Sequence, residues 1–381
     1  MAAAPPASAE PCFLMVSGND YRSRRQVNVH FIAQALAKKG KVRFFSDRFS
    51  LLAPLRKDPR LDLWDRANRI ETVDGVDCFL WRTLLHPFNP AKRGAAMLAP
   101  LVDFMFTRYP ALPCPVLDQW AGEATCILIE SGLSPILFDR LKRAAPQARF
   151  VYIVSDSLTT LQCDQQVHDA LARAAPAFDL IALPSPLLAR VFPPEAHLAY
   201  IPHGLDARVL GAPGPSPYRG GINAVSVGSM LFDARFFEIA ARARPDIQFH
   251  IIGAGRAAPE AANIIDHGEM RFVDTLPYLQ HADVGIAPYG AEQQFYLADT
   301  SMKLMQLEAL GAPAVCPHFA VGGRATRFGY EVGNAASIEA ALTAALAAGK
   351  SAARATFLSW DDVAERLIAP ERFEDVRLEK I

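Results

Sequence analysis

No apolar run in this 381-residue chain approaches the roughly 20 residues that a helix needs to cross a bilayer. The first eleven residues, MAAAPPASAEP, lack both a basic n-region and an apolar h-region. They read as a flexible leader (1–11), not as a signal peptide. The 6 cysteines are scattered, with no CxxC pair, which argues against a zinc site or a disulfide framework and for buried free thiols in a reducing cytoplasm. No cluster of carboxylates marks a diphosphate-bound cation, so no metal is expected. Basic residues are not interleaved with aromatics, so no nucleic-acid partner is expected. What is present is a hydrophobic fraction of 51% against 21% charged, the balance of a folded globular protein. The length points to two domains rather than one core.

The net charge of −1 conceals an asymmetry. Residues 1–203 hold 23 basic and 19 acidic side chains, and residues 204–381 hold 16 and 21. The first 60 residues alone hold 11 basic and 4 acidic. A basic surface on the N-terminal half suits an anionic partner such as a lipid leaflet.

A short apolar strand followed by an amphipathic helix is the repeating unit. CFLMVS (12–17), VRFFS (42–46), VDCFLWRT (76–83), CILIE (126–130), FVYIV (150–154), LIALP (180–184) and LAYIP (198–202) read as strands. Continuous apolar strands are buried on both faces, and their alternation with helices predicts parallel sheets. The rhythm pauses at 203–221, HGLDARVLGAPGPSPYRGG, rich in Gly and Pro. It restarts with NAVSVG (223–228), IQFHIIG (247–253), a short strand near Ile264, VGIAPY (284–289) and APAVC (312–316), and an Ala-rich helix is predicted over 335–349. The expected fold class is α/β, with two doubly wound domains facing across a cleft. The expected divisions are 12–203, a linker at 204–221, 222–350, and a C-terminal segment 351–381 that packs back on the N-terminal domain. The stretch 84–113 mixes prolines, basic residues and bulky apolars. It reads as a packed excursion or as a surface that touches membrane.

The segment YLADTSMKLMQLEALGAPAV (296–315) places Lys303 in the first turn of a helix, where cations are disfavoured. Ser301 and its two predecessors offer N-caps, and Gly311 with Pro313 offers a stop. A helix starting after VGIAPY points its first N–H groups outside the carboxyl end of that strand, where ligands bind in such folds. A diphosphate there meets Lys303 as well, and Gln306 lies one turn on along the same face. On the other half, Asp156 follows the strand FVYIV. By spacing alone it serves equally as a general base or as the N-cap of the next helix.

The pattern K-x-x-Q-x-x-A-x-G-x-P-x-V at 303–315 resembles the nucleotide-binding helix of glycosyltransferases with the GT-B fold. A closer resemblance runs along the chain in NDYRSRR, CFLWRT, HPFN, ESG, VSDSLTT, VGSMLFD, HGEM, GIAPY, YLADTSMKL and PAVCP, covering roughly 12–335. In that order these strings resemble the GumK-type bacterial glucuronosyltransferases of xanthan-like exopolysaccharide assembly. The resemblance implies inverting, metal-independent transfer of glucuronic acid from UDP-glucuronate to a mannose of a polyprenyl-diphosphate-linked oligosaccharide. It also implies a peripheral protein on the cytoplasmic face of the inner membrane. Asp156 then matches the general base. Met230, Glu269, Met270, Tyr289, Ser301, Met302, Lys303 and Gln306 then surround UDP. Arg22, Arg24 and Arg25, in the first strand-to-helix loop, then meet the acceptor's diphosphate or anionic lipid.

Two rival readings remain open on sequence. IIGAGR (251–256) suggests a dinucleotide site and an NAD(P)-dependent oxidoreductase, but the motif belongs to the second half of the chain and does not follow the first strand. A non-catalytic nucleotide-sugar or glycan-binding module is the other, and the presence of both Asp156 and Lys303 speaks against it.

Overall fold

The structure, a computed structural model, describes residues 10–376 except 57, 92–95, 291–293 and 353. Residues 1–9 of the expected leader and the last five residues of the expected C-terminal segment lie outside the described residues. Two compact units result: Met1–Ile201 together with Asp361–Ile381, and Pro202–Trp360.

The first unit is built on β1 (Cys12–Ser17), β2 (Lys41–Ser50), β3 (Ile70–Val73), β4 (Val76–Thr83), β5 (Cys126–Glu130), β6 (Arg149–Ile153), β7 (Leu180–Leu183) and β8 (Leu198–Tyr200). They form one sheet in the order β3-β4-β2-β1-β5-β6-β7-β8. Every pairing is parallel except β3 with β4, a hairpin turned at Asp74 and Gly75 with φ of 50° and 80°. An Asp-Gly pair is the sequence signal for this turn, because both positions need positive φ. All six residues of β1 and all five of β5 are buried, as central parallel strands covered on both faces require. The helices are α1 (Asn28–Ala37), α2 (Ala99–Arg108), α3 (Pro115–Glu123), α4 (Phe138–Ala144) and α5 (Gln165–Ala174).

The second unit carries β9 (Ile222–Val227), β10 (Ile247–Ile252), β11 (Ile264–Asp266), β12 (Val284–Ile286), β13 (Ala314–Pro317) and β14 (Arg327–Tyr330). Its helices are α6 (Ala234–Ala243), α7 (Phe272–His281), α8 (Leu297–Thr300), α9 (Met302–Ala309) and α10 (Ala335–Ala348). A final helix, α11 (Trp360–Ile368), returns the chain to the first unit. The sheet is wholly parallel, in the order β11-β10-β9-β12-β13-β14. Counted within the unit this is the dinucleotide-fold order, which reverses between β9 and β12. In the first unit the order reverses between β1 and β5.

The stretch 204–221, expected as a linker, lies inside the second unit. Val209 is buried against Leu276 and Ala309, and the Tyr218 hydroxyl donates to the Tyr278 carbonyl at 2.7 Å. Its Gly and Pro content marks irregular backbone; it does not prevent packing.

Helix α9 is held at both ends. At Gly285 in β12 a Cβ would lie 2.1 Å from the side chain of Leu307, so only glycine lets α9 approach the sheet this closely. Gly311, at φ +67°, ends the helix with its N–H donating to the Glu308 carbonyl at 2.9 Å. A Cβ there would sit 2.3 Å from the backbone oxygen of Ser351. Gly311→Ala is therefore expected to cost at least about 1–2 kcal/mol, from the left-handed backbone alone. Urea unfolding measures it, and an unchanged midpoint would mean that neither the left-handed backbone nor the Ser351 contact penalises the added methyl group.

Candidate active site

In the second unit the loops that follow β9, β10, β11 and β12 gather at the carboxyl edge of the sheet. Gly228 donates to the Ile252 carbonyl at 2.8 Å, and Gly253 donates to the Gly268 carbonyl at 2.7 Å. Gly253 has φ +65°, and a Cβ there would lie 3.1 Å from the Glu269 carboxylate. Across the switch point, Phe232 and Tyr289 form an antiparallel bridge. Asp233 N–H donates to the Pro288 carbonyl at 2.7 Å, and Gly290 N–H to the Leu231 carbonyl at 3.1 Å. The loop carrying Met230 is thereby fastened to the loop carrying Tyr289.

Helix α9 opens beside this junction. Ser301 is its N-cap, its Oγ accepting from the Leu304 N–H at 3.3 Å. The same Oγ is hydrogen-bonded to the hydroxyl of buried Tyr289. Lys303 is the second residue of the helix, its ammonium buried and 5.5 Å from the centroid of the Tyr289 ring. No acidic residue sits in that first turn. Gln306 is buried one turn further on. Met230 is 40% exposed, Glu269 is exposed and Met302 and Met270 are half-buried, so the apolar and acidic candidates stand at the surface of the edge. The structure thus brings Tyr289, Ser301 and Lys303 into contact and places Glu269 against the Gly253 turn.

Two residues that sequence reading passed over hold α9 in place. Glu308, on its inner face, accepts from Arg327 at 2.8 Å and from Arg324 at 3.2 Å. Buried Arg327 also donates to the carbonyls of Ala298 and Ala320, at 2.6 and 3.2 Å. The signal available was a carboxylate set between the apolar Leu307 and Ala309.

In the first unit Asp156 lies just beyond β6, half-buried. The N-cap of α5 is Asp164, whose side chain accepts from Gln166 N–H at 3.0 Å, so Asp156 is not that cap. The turn bearing Asp156 is fixed by its neighbours at the switch point. Ser131 Oγ accepts from the N–H groups of Ser155 and Asp156 at 3.1 and 3.2 Å. Ser155 Oγ donates to Glu130 at 2.8 Å and accepts from Asn28 Nδ2 at 2.8 Å. Glu130, at the end of β5, also accepts from Ser17 Oγ and from Asn19 Nδ2 at 3.0 Å. Burial outweighs these donors and raises the Glu130 pKa, with the buried carboxylate Asp47 adding to it.

Of the three arginines assigned to an anionic partner, Arg22 is not available. Its side chain is 2% exposed. It forms a two-pronged pair with Asp20, both contacts at 2.9 Å, and donates to Glu71 of β3 at 2.6 Å. It clamps the β1–α1 loop to the sheet edge. Arg24 is exposed, 3.9 Å from Asp62. Arg25 is half-buried, and desolvation lowers its pKa. Five of the cysteines are buried and all six are free. Among the described residues no three of His, Cys, Asp and Glu gather where a metal could sit.

A family model described as "Glucuronosyltransferase GumK, N-terminal domain" matches residues 15–184. The UDP-glucuronate:glycolipid 2-beta-glucuronosyltransferase of Xanthomonas campestris pv. campestris is 43% identical over 380 residues, 98% of this chain and 94% of that one. The chain belongs to the GumK glucuronosyltransferase family. Among solved structures, an alpha,alpha-trehalose 6-phosphate synthase from Burkholderia multivorans is similar with a TM-score of 0.58 at 13% identity, covering 96% of this chain and 93% of that one. An E. coli structure bound with UDP-2-fluoro glucose gives 0.57 at 12% identity, over 94% and 95%. These likenesses show the fold: this GumK-family chain has the GT-B architecture of two Rossmann-like units. The glycine turn 253–255 follows the second strand of its unit rather than the first, where a dinucleotide fingerprint would stand.

The Glu130 carboxyl sets a pH dependence. Its folded pKa is raised, so the folded state holds a proton that the unfolded chain releases above about 4.5, the ordinary value. Folding stability is then lost as pH climbs from that value toward the folded pKa. Glu130→Gln carries no such penalty. Its stability relative to the native sequence is expected to improve steadily above about pH 4.5, read by urea unfolding at several pH values. A pH-independent difference would mean that folding leaves the Glu130 pKa unshifted.

Proposed function

We propose that the chain transfers glucuronic acid from UDP-glucuronate to a mannose hydroxyl of a polyprenyl-diphosphate-linked oligosaccharide, with inversion at the anomeric carbon. The observation that carries this reading is Lys303 at the start of α9, over Tyr289 and beside the β9–β12 switch point. The printed activity of the Xanthomonas relative supplies the donor and the glycolipid class of acceptor.

In the proposed reaction, the acceptor oxygen attacks the anomeric carbon while Asp156 takes the hydroxyl proton. The bond from that carbon to the UDP oxygen breaks, and the electron pair leaves on the diphosphate. Lys303 and the first N–H groups of α9, which lack intrahelical acceptors, meet the charge that develops there. The reading assigns this neutralisation to a fixed ammonium and a helix end, so it calls for no metal ion. Ser301, Gln306, Met302 and Tyr289 form the wall around the nucleotide. Glu269 suits the ribose, whose hydroxyls donate to a carboxylate. Met230 and Met270 pack on the base.

We propose peripheral attachment at the cytoplasmic face of the inner membrane through the region of α2. Met97, Phe104 and Leu101 are 89%, 57% and 46% exposed, and Leu84 is 71% exposed. Arg108 lies 5.5 Å from the Phe104 ring centroid, putting a cation beside the apolar face. Among the described residues no helix is long and apolar enough to cross a membrane.

Asp156→Asn is expected to lower turnover by about 10²–10⁴-fold with UDP binding retained. Lys303→Ala is expected to weaken UDP binding about tenfold to a hundredfold, measured by calorimetry, as loss of a charge-assisted bond predicts. Near-normal turnover of Asp156→Asn would remove the base assignment. In flotation with anionic liposomes, Leu101→Ser with Phe104→Ser should leave most of the protein in solution. Equal flotation of that variant would place the membrane contact elsewhere.

A further inference from the structure

In the second unit the rings of Tyr218, His250, His267 and Tyr278 pack together. Centroids lie 4.7 Å apart for Tyr218 and His250, and 4.8 Å apart for His267 and Tyr278. Inside this cluster the two imidazoles are hydrogen-bonded, His250 Nδ1 to His267 Nε2 at 3.0 Å. His250 is buried, and its Nε2 lies 3.2 Å from Asn223 Oδ1. Burial lowers both imidazole pKa values, His250 to about 4, so the pair is neutral at ordinary assay pH. Asn223 Nδ2 donates to the carbonyls of Gly221 and Gly220 at 2.9 and 3.3 Å, which fixes the end of the amide that bears oxygen. That oxygen only accepts, so His250 Nε2 carries the hydrogen and His250 Nδ1 the lone pair. The lone pair in turn calls for a hydrogen on His267 Nε2.

This relay crosses the sheet. Asn223 stands near the start of β9, His250 within β10, and His267 just beyond the end of β11. It therefore ends at the carboxyl edge, on the segment 267–270 that carries Glu269 and Met270. The backbone holds that segment by few bonds. His267 N–H donates to the Ile251 carbonyl at 2.9 Å, and the Gly268 carbonyl accepts from Gly253 N–H at 2.7 Å. Gly268 N–H donates to the Asp266 carboxylate at 2.9 Å, and Gly268 and Glu269 are exposed. An apolar pair would fill the space between two tyrosines without the cost of burying polar nitrogens. A satisfied polar pair specifies one orientation instead. We infer that His267, set by His250, is a positioning residue for the nucleotide: their bond anchors the root of the 267–270 segment, so that the Glu269 carboxylate stays against Gly253. The inference rests on the reading that places Glu269 at the ribose.

Calorimetry of UDP with the full chain tests it. His267 is half-buried, so substitution there spares the core. His267→Gln keeps an N–H donor near the place of Nε2, and His267→Met fills similar space without one. UDP affinity is expected to fall about tenfold in His267→Met and to stay within about twofold of native in His267→Gln. In turnover, KM for UDP-glucuronate should rise by the same factor in His267→Met, with kcat and the glycolipid KM unmoved. The effect passes through Glu269, so His267→Met added to Glu269→Ala should weaken UDP no further than Glu269→Ala alone. His250→Leu and His250→Asn share one shape and differ in the acceptor, and the same order is expected: weakened in the first, retained in the second. Equal affinities in His267→Met and His267→Gln, or additive losses with Glu269→Ala, overturn the inference. A loss in Glu269→Ala with none in His267→Met removes the positioning role alone. Unchanged UDP affinity in Glu269→Ala removes the ribose assignment, and the inference with it.

Discussion

Tyr289 does two things at once. Its hydroxyl bonds the serine that caps α9, and its ring lies beneath the lysine that follows. A cation in the first turn of a helix costs about 0.3–1 kcal/mol, because the backbone N–H groups there already carry positive charge. An aromatic face returns about 0.5–2 kcal/mol to a nearby ammonium. The two effects are of similar size, so the ring can hold Lys303 where the helix end would otherwise push it away. The position of Tyr289 is in turn fixed by its bridge to Phe232 across the switch point. Loop geometry, helix capping and charge placement thus depend on one side chain, and the Glu308–Arg327 pair keeps the far end of the helix from moving.

The first unit solves a related problem with different chemistry. At its own reversal point a buried acid, three small hydroxyl side chains and two asparagines fix the turn that carries Asp156. Charge would be costly there, and the raised Glu130 pKa shows the fold favouring the proton-bearing form. Asp156 itself stands outside that network's interior, half-buried, where a carboxylate retains access to solvent. On the proposed reading both units put their chemistry at the carboxyl edge near the point where strand order reverses, because the loops diverge there and leave room.

The alternation of apolar strands and helices, Lys303 at a helix start and Asp156 after a strand were readable from local pattern. Features that join distant residues were not. Arg22 looked like one of three basic groups awaiting an anion, yet its partner Glu71 stands 49 residues away on a strand too short and too polar to stand out. The sheet that brings them together is invisible to a window of a few residues. Glu130 was legible only as a carboxylate ending an apolar run, and its bonds to Ser17, Asn19 and Ser155 span up to 113 positions. The stretch 204–221 misled for the opposite reason, since Gly and Pro report backbone irregularity and say nothing of what Val209 and Tyr218 reach.

The chain leaves the first unit after Ile201 and rejoins it at Asp361. One unit is therefore continuous in sequence and the other is interrupted by it. During synthesis from the amino terminus, the interior unit is complete while the outer one still lacks its last helix. Val363, Ala364 and Leu367 of α11 are buried, and Lys38 and Lys39 of the α1 end pair with Asp361 and Glu365 at 2.7 and 2.6 Å. The outer unit must wait for the ribosome to release these residues before its apolar surface is fully covered.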